Sequence, residues 1–426
     1  QAAEASSDPL LRDTIKYAKM LEGNVRGTGV HACGTIICRD DITDWVPVST
    51  ADDKETGEKM LVTQYEGSVI EDTGLIKMDF LGLKTLSIIK EAVENIRLSR
   101  NVEVDVDAID ISDPATYKLY SDGRTIGTFQ FESAGMQKYL RELQPSTFED
   151  LIAMNALYRP GPMDYIPDFI DRKHGRKPIE YDIPIMEKYL KDTYGITVYQ
   201  EQVMRVAQVV GGYSLGGADL LRRAMGKKNV EEMKRQRAVF IKGAGERGVK
   251  ESVATEIFDL MEKFAGYGFN KSHAAAYSYV AYQTAYLKVH HTAAFFAANL
   301  CMVMDDGDKM KALIDDARAN GVDFRLPDVN VSEWFFSVPT ENVIQLGLGA
   351  IKGINRALVE AIVSEREANG PFEDIFDFAA RVEGVNFRIF ESMVRAGAFD
   401  STDADRGKLF SNISNALQGG AAVRQS

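Results

Sequence analysis

Asp79 stands in the run Ile76-Lys77-Met78-Asp79-Phe80-Leu81-Gly82-Leu83, with an ammonium group two residues before it. In a strand, residues two apart share a face, so Lys77 and Asp79 point the same way between apolar Met78 and Phe80. The alternation from Gly74 to Phe80 reads as a strand. Gly82 breaks it into a helix pattern from Leu83 to about Ile96. A carboxylate at a strand end beside a glycine turn has a rigid base and an open side, which suits a metal ligand. The competing reading is a local ion pair between Asp79 and Lys77.

A second constellation is cationic. Arg222, Arg223, Lys227 and Lys228 put four positive charges in seven residues beside Gly226. Arg223 and Lys227 share a face if the helix from about Ser214 reaches that far. An Asp219–Arg223 ion pair is the bland alternative, and it explains one pair rather than four cations. Downstream, Ser272 is expected to cap a helix running to about His290. That places His273 in a first turn, where free N–H groups and the helix dipole favour a phosphate or carboxylate. Ser272 and His273 do not form a nucleophile pair, because adjacent helix residues do not face each other. Tyr279, Tyr282 and Tyr286 recur at core spacing. A third feature is the turn Gly347 to Asn355, containing Lys352 and Gly353, ahead of a helix from Ala357 to Glu367. Such a turn presents backbone N–H groups to a phosphate without reading bases.

The elements that must hold these residues follow from the whole chain. Its 426 residues suit two to four domains, and its 45% hydrophobic and 27% charged content describes an ordinary globular protein. No apolar run spans a bilayer. Three cysteines, an odd number without metal spacing, suit a reducing cytoplasm. The net charge of -13 argues against a surface coated for nucleic acid. Between Arg222 and Lys250, however, ten Lys/Arg face three Glu, a local positive field on an acidic body. The text opens on a helix pattern, Pro9 to Leu21, without an initiator Met, and is read as part of a longer chain.

Residues 1 to about 34 close a helical element at the Gly23–Gly29 stretch, and Val30 to Ile37 leads into a strand. Zinc on His31, Cys33 and Cys38 is disfavoured for want of a fourth ligand at suitable spacing. Gly67 to Phe80 reads as further β text, giving a small mixed sheet. Helices dominate from Leu83. Ser146-Thr147-Phe148-Glu149 reads as a capping box for a helix to Tyr158, and Val198 to Val210 as another helix ended by Gly211-Gly212. Residues 322 to 345 return to β or loop, and Gly419 to Ser426 reads as a frayed tail. The fold class expected is mainly α with a small mixed α+β part, in several domains.

Several ordered blocks carry a resemblance: Lys77 to Leu83, Phe129-Gln130-Phe131-Glu132-Ser133, Tyr158-Arg159-Pro160-Gly161-Pro162, Tyr199 to Met204, Leu215 to Lys228 and Gly266 to Tyr277. From about Val25 to Asp400 the sequence resembles the family C replicative DNA polymerases of bacteria, the DNA polymerase III alpha subunits. The resemblance implies the end of a thumb over 1–34, a palm remnant over 35–82, fingers over 83–345 and a helix-hairpin-helix duplex-binding region over 346–426. It implies that Asp79 is the last of three metal-binding aspartates, with Lys77 the active-site lysine beside it. Two Mg²⁺ ions are the implied cofactors. Arg222, Arg223, Lys227 and Lys228 match the nucleotide-binding block of the fingers, and Ser272 and His273 match the motif that follows it. Lys352, Gly353 and Asn355 match the hairpin that grips duplex backbone, with Asn355 in place of a usual second Gly. Implied partners are primer–template DNA, deoxynucleoside triphosphates and other replicase subunits, including a sliding clamp.

The other two aspartates of that site are expected upstream of this text. Asp168 and Asp171 are three apart and cannot share a strand face. Asp105 and Asp107, with Glu103, have the right spacing but stand in a segment the resemblance makes a linker. The implied activity is nucleotidyl transfer to a primer 3′-hydroxyl in the intact chain, with little catalysis by these residues alone. The alternative is a helical DNA-binding or assembly module without polymerase chemistry.

Overall fold

The computed structural model describes residues 4–53, 56–227 and 229–426. Lys228, the last of the four clustered cations, lies outside the described residues. Most of the chain is helical, and it divides into two compact units, one ending at Leu83 and the other beginning at Lys84.

In the first unit, α1 (Pro9–Leu21) starts under Asp8, whose carboxylate accepts from Leu10 N at 3.0 Å. Proline at the first helical position loses no hydrogen bond there. β1 (Gly34–Ile37), β2 (Val48–Asp52) and β3 (Lys59–Thr63) follow. Residues 67–73, expected as β, instead form the short helix α2 (Gly67–Ile70) and a 3-10 turn, Glu71–Thr73. The helical turn sinks Ile70 completely against Val46 and Leu75, and that burial outweighs the strand-like pattern. β4 (Ile76–Asp79) ends the unit. The strands form two antiparallel ribbons, β1–β4 and β2–β3, rather than one mixed sheet.

The second unit begins with α3 (Lys84–Arg100), α4 (Pro114–Ser121), α5 (Ala134–Leu143), α6 (Phe148–Leu157), α7 (Ile166–Lys173) and the short α8 (Glu187–Leu190). The capping box of α6 is Thr147 with Asp150, not Ser146 with Glu149. Asp150 is fully buried, and Lys173 and the Tyr194 hydroxyl hold its carboxylate. Next come α9 (Gln200–Gly211), α10 (Leu215–Lys227), α11 (Val230–Glu246) and α12 (Glu251–Ala265), which share one core through Val206, Leu221, Phe240 and Phe258.

The 20-residue α13 (Lys271–His290) then runs through another core with α4 to α7. Its Tyr282 is fully buried, as the tyrosine spacing predicts, and donates to Asp110 O at 2.8 Å. α14 (Thr292–Cys301) and α15 (Gly307–Ala319) pack with α3 over a three-stranded sheet of β5 (Asp323–Arg325), β6 (Ser337–Thr340) and central β7 (Val343–Gln345). Five helices close the unit: α16 (Arg356–Asn369), α17 (Ile375–Arg381), α18 (Phe387–Arg395), α19 (Arg406–Ser411) and α20 (Ile413–Gln425). The expected frayed tail is helical because Ile413, Ala416 and Gly420 of α20 are buried, Gly420 directly against the Ala379 backbone of α17.

Candidate functional site

Asp79 ends β4 opposite Gly34 of β1, and Lys77 pairs with Ile36 two steps back. The two side chains lie on one face of the ribbon, with Lys77 Nζ 3.9 Å from Asp79 Oδ1. Phe80 N donates to Cys33 O at 2.9 Å, so the ladder extends one bond past the strand and holds the carboxylate at its open end. Asp79 is half exposed and Lys77 more covered. The chain before β1 folds back over this end. His31 Nδ1 accepts from Gly34 N at 2.7 Å and from Cys33 N at 3.2 Å. Ligand atoms of His31, Cys33 and Asp79 then all lie within 4.8 Å of one another. A side chain on Gly34 would fill this space, since an added Cβ would meet His31 Nδ1 at 2.9 Å and Asp79 Oδ1 at 3.2 Å. Cys38 points elsewhere, against the small core, and its thiol donates to Asp40 O. Hard cations such as Mg²⁺ take oxygen ligands. Among these neighbours Asp79 alone offers a carboxylate, so the group brings one hard ligand to this end of the ribbon and no more.

The competing carboxylates are engaged in local structure. Asp105 accepts from Asp107 N at 3.0 Å and caps a 3-10 turn. Tyr279 and Gln283 of α13 hold that turn through Asp107 O and Val106 O. Asp168 and Asp171 of α7 pair with Lys177 and Arg176.

The cation block sits on α10, which reaches Lys227, so Arg223 and Lys227 share a face as expected. Asp219 claims both arginines, at 2.6 Å from Arg222 Nη2 and 3.0 Å from Arg223 Nε. The bland reading is therefore partly true. The hydrogen bond from Arg222, and then the two guanidinium charges, hold the Asp219 carboxyl below its usual range. Much of the positive stretch that follows is also matched: Arg235 pairs with Glu232, and Arg237 with Asp259 and Glu262.

α10 packs on α9, and the N-terminus of α9 joins that of α13. There Gln200 N donates to Phe269 O at 2.9 Å, and Lys271 N to Glu201 Oε2 at 3.0 Å. The N-cap of α13 is Asn270, which accepts from His273 N at 2.8 Å; Ser272 lies inside the helix. Two of the first three N–H groups are therefore already taken, His273 N by the Asn270 cap and Lys271 N by the Glu201 carboxylate. The helix end is thus a poorer anion seat than the sequence promised, and the exposed His273 ring is what remains. That ring packs on Tyr277 at 4.2 Å and on Phe269 at 5.4 Å between centroids.

Sequence reading missed the residue that sets this loop. Arg159 stacks its guanidinium 4.8 Å over the Phe269 ring and donates to Tyr267 O. It thereby ties Arg159-Pro160-Gly161-Pro162 to the turn ahead of His273. The signal was present: both stretches belonged to the recognised blocks, and an arginine facing a Gly-Tyr-Gly-Phe turn invites stacking.

In the last helical cluster, Gly353 has φ +88°, a conformation other residues adopt at a cost. Asn355 caps α16 from extended backbone, accepting from Leu358 N at 2.9 Å. A second glycine is not required there, and Lys352 is exposed beside the turn. The same construction recurs before α18. Gly384 has φ +82°, and Asn386 accepts from Ile389 N at 2.9 Å. Both turns are open, with nothing within 4 Å of an added Cβ. The pattern Gly-Ile-Asn at 353–355 and Gly-Val-Asn at 384–386 was legible and went unread. Glu383 takes the place of Lys352 in the second copy.

Models of known protein families match three stretches of the chain. Residues 1–82 match the family described as the bacterial DNA polymerase III alpha NTPase domain, residues 85–248 the bacterial DNA polymerase III alpha subunit finger domain, and residues 321–409 a helix-hairpin-helix motif. The DNA polymerase III subunit alpha of Neisseria meningitidis serogroup A / serotype 4A is 48% identical over 407 residues, 95% of this chain and 35% of that protein. The Thermus aquaticus protein of that name is 47% identical over 430 residues, 99% of this chain and 35% of the relative. That of Borreliella burgdorferi is 45% identical over 415 residues, 97% of this chain and 36% of the relative. The chain spans about a third of the length of these relatives. It belongs to the family of bacterial DNA polymerase III alpha subunits.

Proposed function

We propose that this chain is the part of a template-directed DNA polymerase that contributes one metal-binding carboxylate, a nucleotide-facing cation block and a turn that grips duplex backbone. The reading is carried by identity of 45–48% to the three relatives across almost all of the chain, which covers every motif described above. Its first unit would be palm with the end of the thumb, residues 83–345 the fingers, and the rest a duplex-binding region. The chemistry supplied by two bound Mg²⁺ ions would be activation of a primer 3′-hydroxyl and stabilisation of the leaving pyrophosphate. Asp79 would be one of their ligands, the others coming from the two thirds of the relatives that this chain does not span. Lys77 faces the same carboxylate and balances its charge.

Arg222, Arg223 and Lys227, with Lys228 next in the sequence, would meet the triphosphate, for which guanidinium forks are well shaped. His273 and Ser272 would lie near its sugar or phosphates. Lys352, Gly353 and Asn355 would approach duplex phosphate, with primer–template DNA and deoxynucleoside triphosphates as substrates. Other replicase subunits, including a sliding clamp, are the proposed protein partners, and the cytoplasm the proposed location. No helix among the described residues is long and apolar enough to cross a membrane.

The test is primer extension and nucleotide titration with the full-length polypeptide. Asp79→Asn should abolish incorporation while nucleotide still binds. Arg222→Ala and Lys227→Ala should each weaken nucleotide binding by about 1–3 kcal/mol; unchanged affinity in both would remove the fingers assignment. The 426 residues alone should bind primed DNA weakly and incorporate nothing. Incorporation by them, lost on Asp105→Asn with Asp107→Asn, would sink this division of the site.

A further inference from the structure

His31 and Cys33, which the sequence offered together with Cys38 but with no fourth ligand, have Asp79 beside them in place of Cys38. We infer that His31, Cys33 and Asp79 form a binding site for a thiophilic divalent cation of the zinc class, with water in the fourth position. Imidazole, thiolate and carboxylate together are the donor set of a borderline-soft cation, not of Mg²⁺ or Ca²⁺. The spacing fits. Two ligands of a tetrahedral zinc, at bond lengths of about 2.0–2.3 Å, lie roughly 3.5 Å apart, and His31 Nδ1 is 3.7 Å from Cys33 Sγ. All three ligand atoms fall within 4.8 Å of one another, so one centre lies within reach of all three. The cradle is kept open by Gly34, where any side chain would press on both His31 Nδ1 and Asp79 Oδ1. His31 and Asp79 are exposed and Cys33 half-buried, so a cation can enter from solvent.

The cation must displace existing interactions. The Nδ1 lone pair accepts from the Gly34 and Cys33 amides, and Asp79 faces Lys77. Binding also releases the Cys33 thiol proton to solvent as the sulfur becomes a thiolate ligand. These costs make the site one that fills and empties with cation concentration, unlike a closed structural zinc site. Occupied, it takes the carboxylate of Asp79 away from any oxygen-ligated cation. Zinc is therefore expected to inhibit nucleotide incorporation by competing for one side chain. That consequence, unlike the binding itself, rests on the reading of Asp79 as a ligand of the polymerase's own cations.

The test titrates Co²⁺, then Zn²⁺, into the 426-residue chain under reducing conditions. A thiolate-to-Co²⁺ charge-transfer band with tetrahedral d–d bands should appear and be displaced by Zn²⁺ but not by Mg²⁺. Cys33→Ser should abolish the charge-transfer band, while Cys38→Ser and Cys301→Ser keep it; circular dichroism checks that each variant is folded. His31→Ala and Asp79→Asn should weaken Co²⁺ binding by about tenfold or more, since even outer-shell partners are worth about 10–100-fold. A missing band, or one that survives in Cys33→Ser, overturns the site. In the full-length protein, Cys33→Ser should raise the Zn²⁺ concentration needed to inhibit primer extension. Equal inhibition of both overturns the competition while leaving the spectroscopic site standing. Incorporation that survives Asp79→Asn instead overturns the catalytic reading of that residue alone.

Discussion

Asp219 accepts from Arg222 at 2.6 Å and holds Arg223 with its other oxygen at 3.0 Å, so one carboxylate latches two of the cations proposed to meet a triphosphate. The latch keeps the guanidinium groups ordered, but it also sets a negative charge where phosphate must come. The second effect should dominate on a solvent-facing helix, where ion pairs contribute little order and long-range charge still acts. Asp219→Asn is accordingly expected to tighten nucleotide binding by roughly two- to fivefold at low salt, with the gain shrinking as salt rises. Fluorescent-nucleotide titration at two ionic strengths measures this. Weaker binding at both would make the latch a positioning device instead.

Arg159 should matter to His273 without touching ligand. Its stacking on Phe269 and its bond to Tyr267 O fix the turn from which α13 starts. The Arg159→Lys change keeps the charge but loses the planar stacking and the fork. It should lower nucleotide affinity by about 1 kcal/mol and leave the α10 cations in place. A double-mutant cycle with His273→Ala reads the connection: coupling well above zero is expected, because the two residues share the Phe269 ring as neighbour. Strict additivity would show that the loop does not set His273.

These two sites also show where sequence reading stops. The pairing of Lys77 with Asp79 on one face followed from a period of two, and the shared face of Arg223 and Lys227 from a period near four once the helix reaches Lys227. Those are local properties. The capture of His31 and Cys33 beside Asp79 is not local, because it depends on β1 pairing with β4 across the whole of residues 38–75. Spacing along the sequence therefore offered Cys38 as the third ligand, which the core had already taken, and found no fourth. Cap assignments failed more modestly. Asn270 and Ser272 are both good N-caps, and a fold-level link, Lys271 N to Glu201, decides between them. Residues 67–73 failed because burying Ile70 overrode a weak alternation. The repeated Gly-x-Asn turn was fully legible, and only a search for internal repeats was wanting.

That repeat gives a duplex-binding prediction with a sign. The two turns share backbone geometry, but Lys352 stands beside one and Glu383 beside the other. If both face duplex phosphate, Lys352→Ala should reduce the slope of log affinity against log salt by about one unit. Glu383→Lys should raise it by a similar amount and tighten binding. A slope that falls for the first variant and does not move for the second would confine the contact to the turn at Lys352. Fluorescence anisotropy with blunt duplex across a salt series makes the measurement.

The last prediction concerns stability and pH. His291, half-buried at the junction of α13 and α14, has its Nδ1 2.8 Å from Arg100 Nη1. Burial first, and then the Arg100 charge, with His290 adding to it and Glu341 opposing, push its pKa down from 6.5 to about 4. Between those two values the unfolded chain binds the proton and the folded chain does not. By linkage, stability rises with pH across that window. It is full above pH 6.5, falls as the pH drops toward 4, and loses nothing further from this group below that. The shift would correspond to about 3 kcal/mol if unscreened. The ring is only partly buried, so solvent screening reduces this to an expected loss on the order of 1 kcal/mol. The His291→Asn variant keeps an acceptor for Arg100 but cannot titrate. Urea unfolding of both proteins from pH 7 to 4 should show the wild type losing stability relative to the variant, with the difference opening below pH 6.5. Parallel curves would mean that the imidazole is protonated in the folded chain, and that Arg100 has swung away from it.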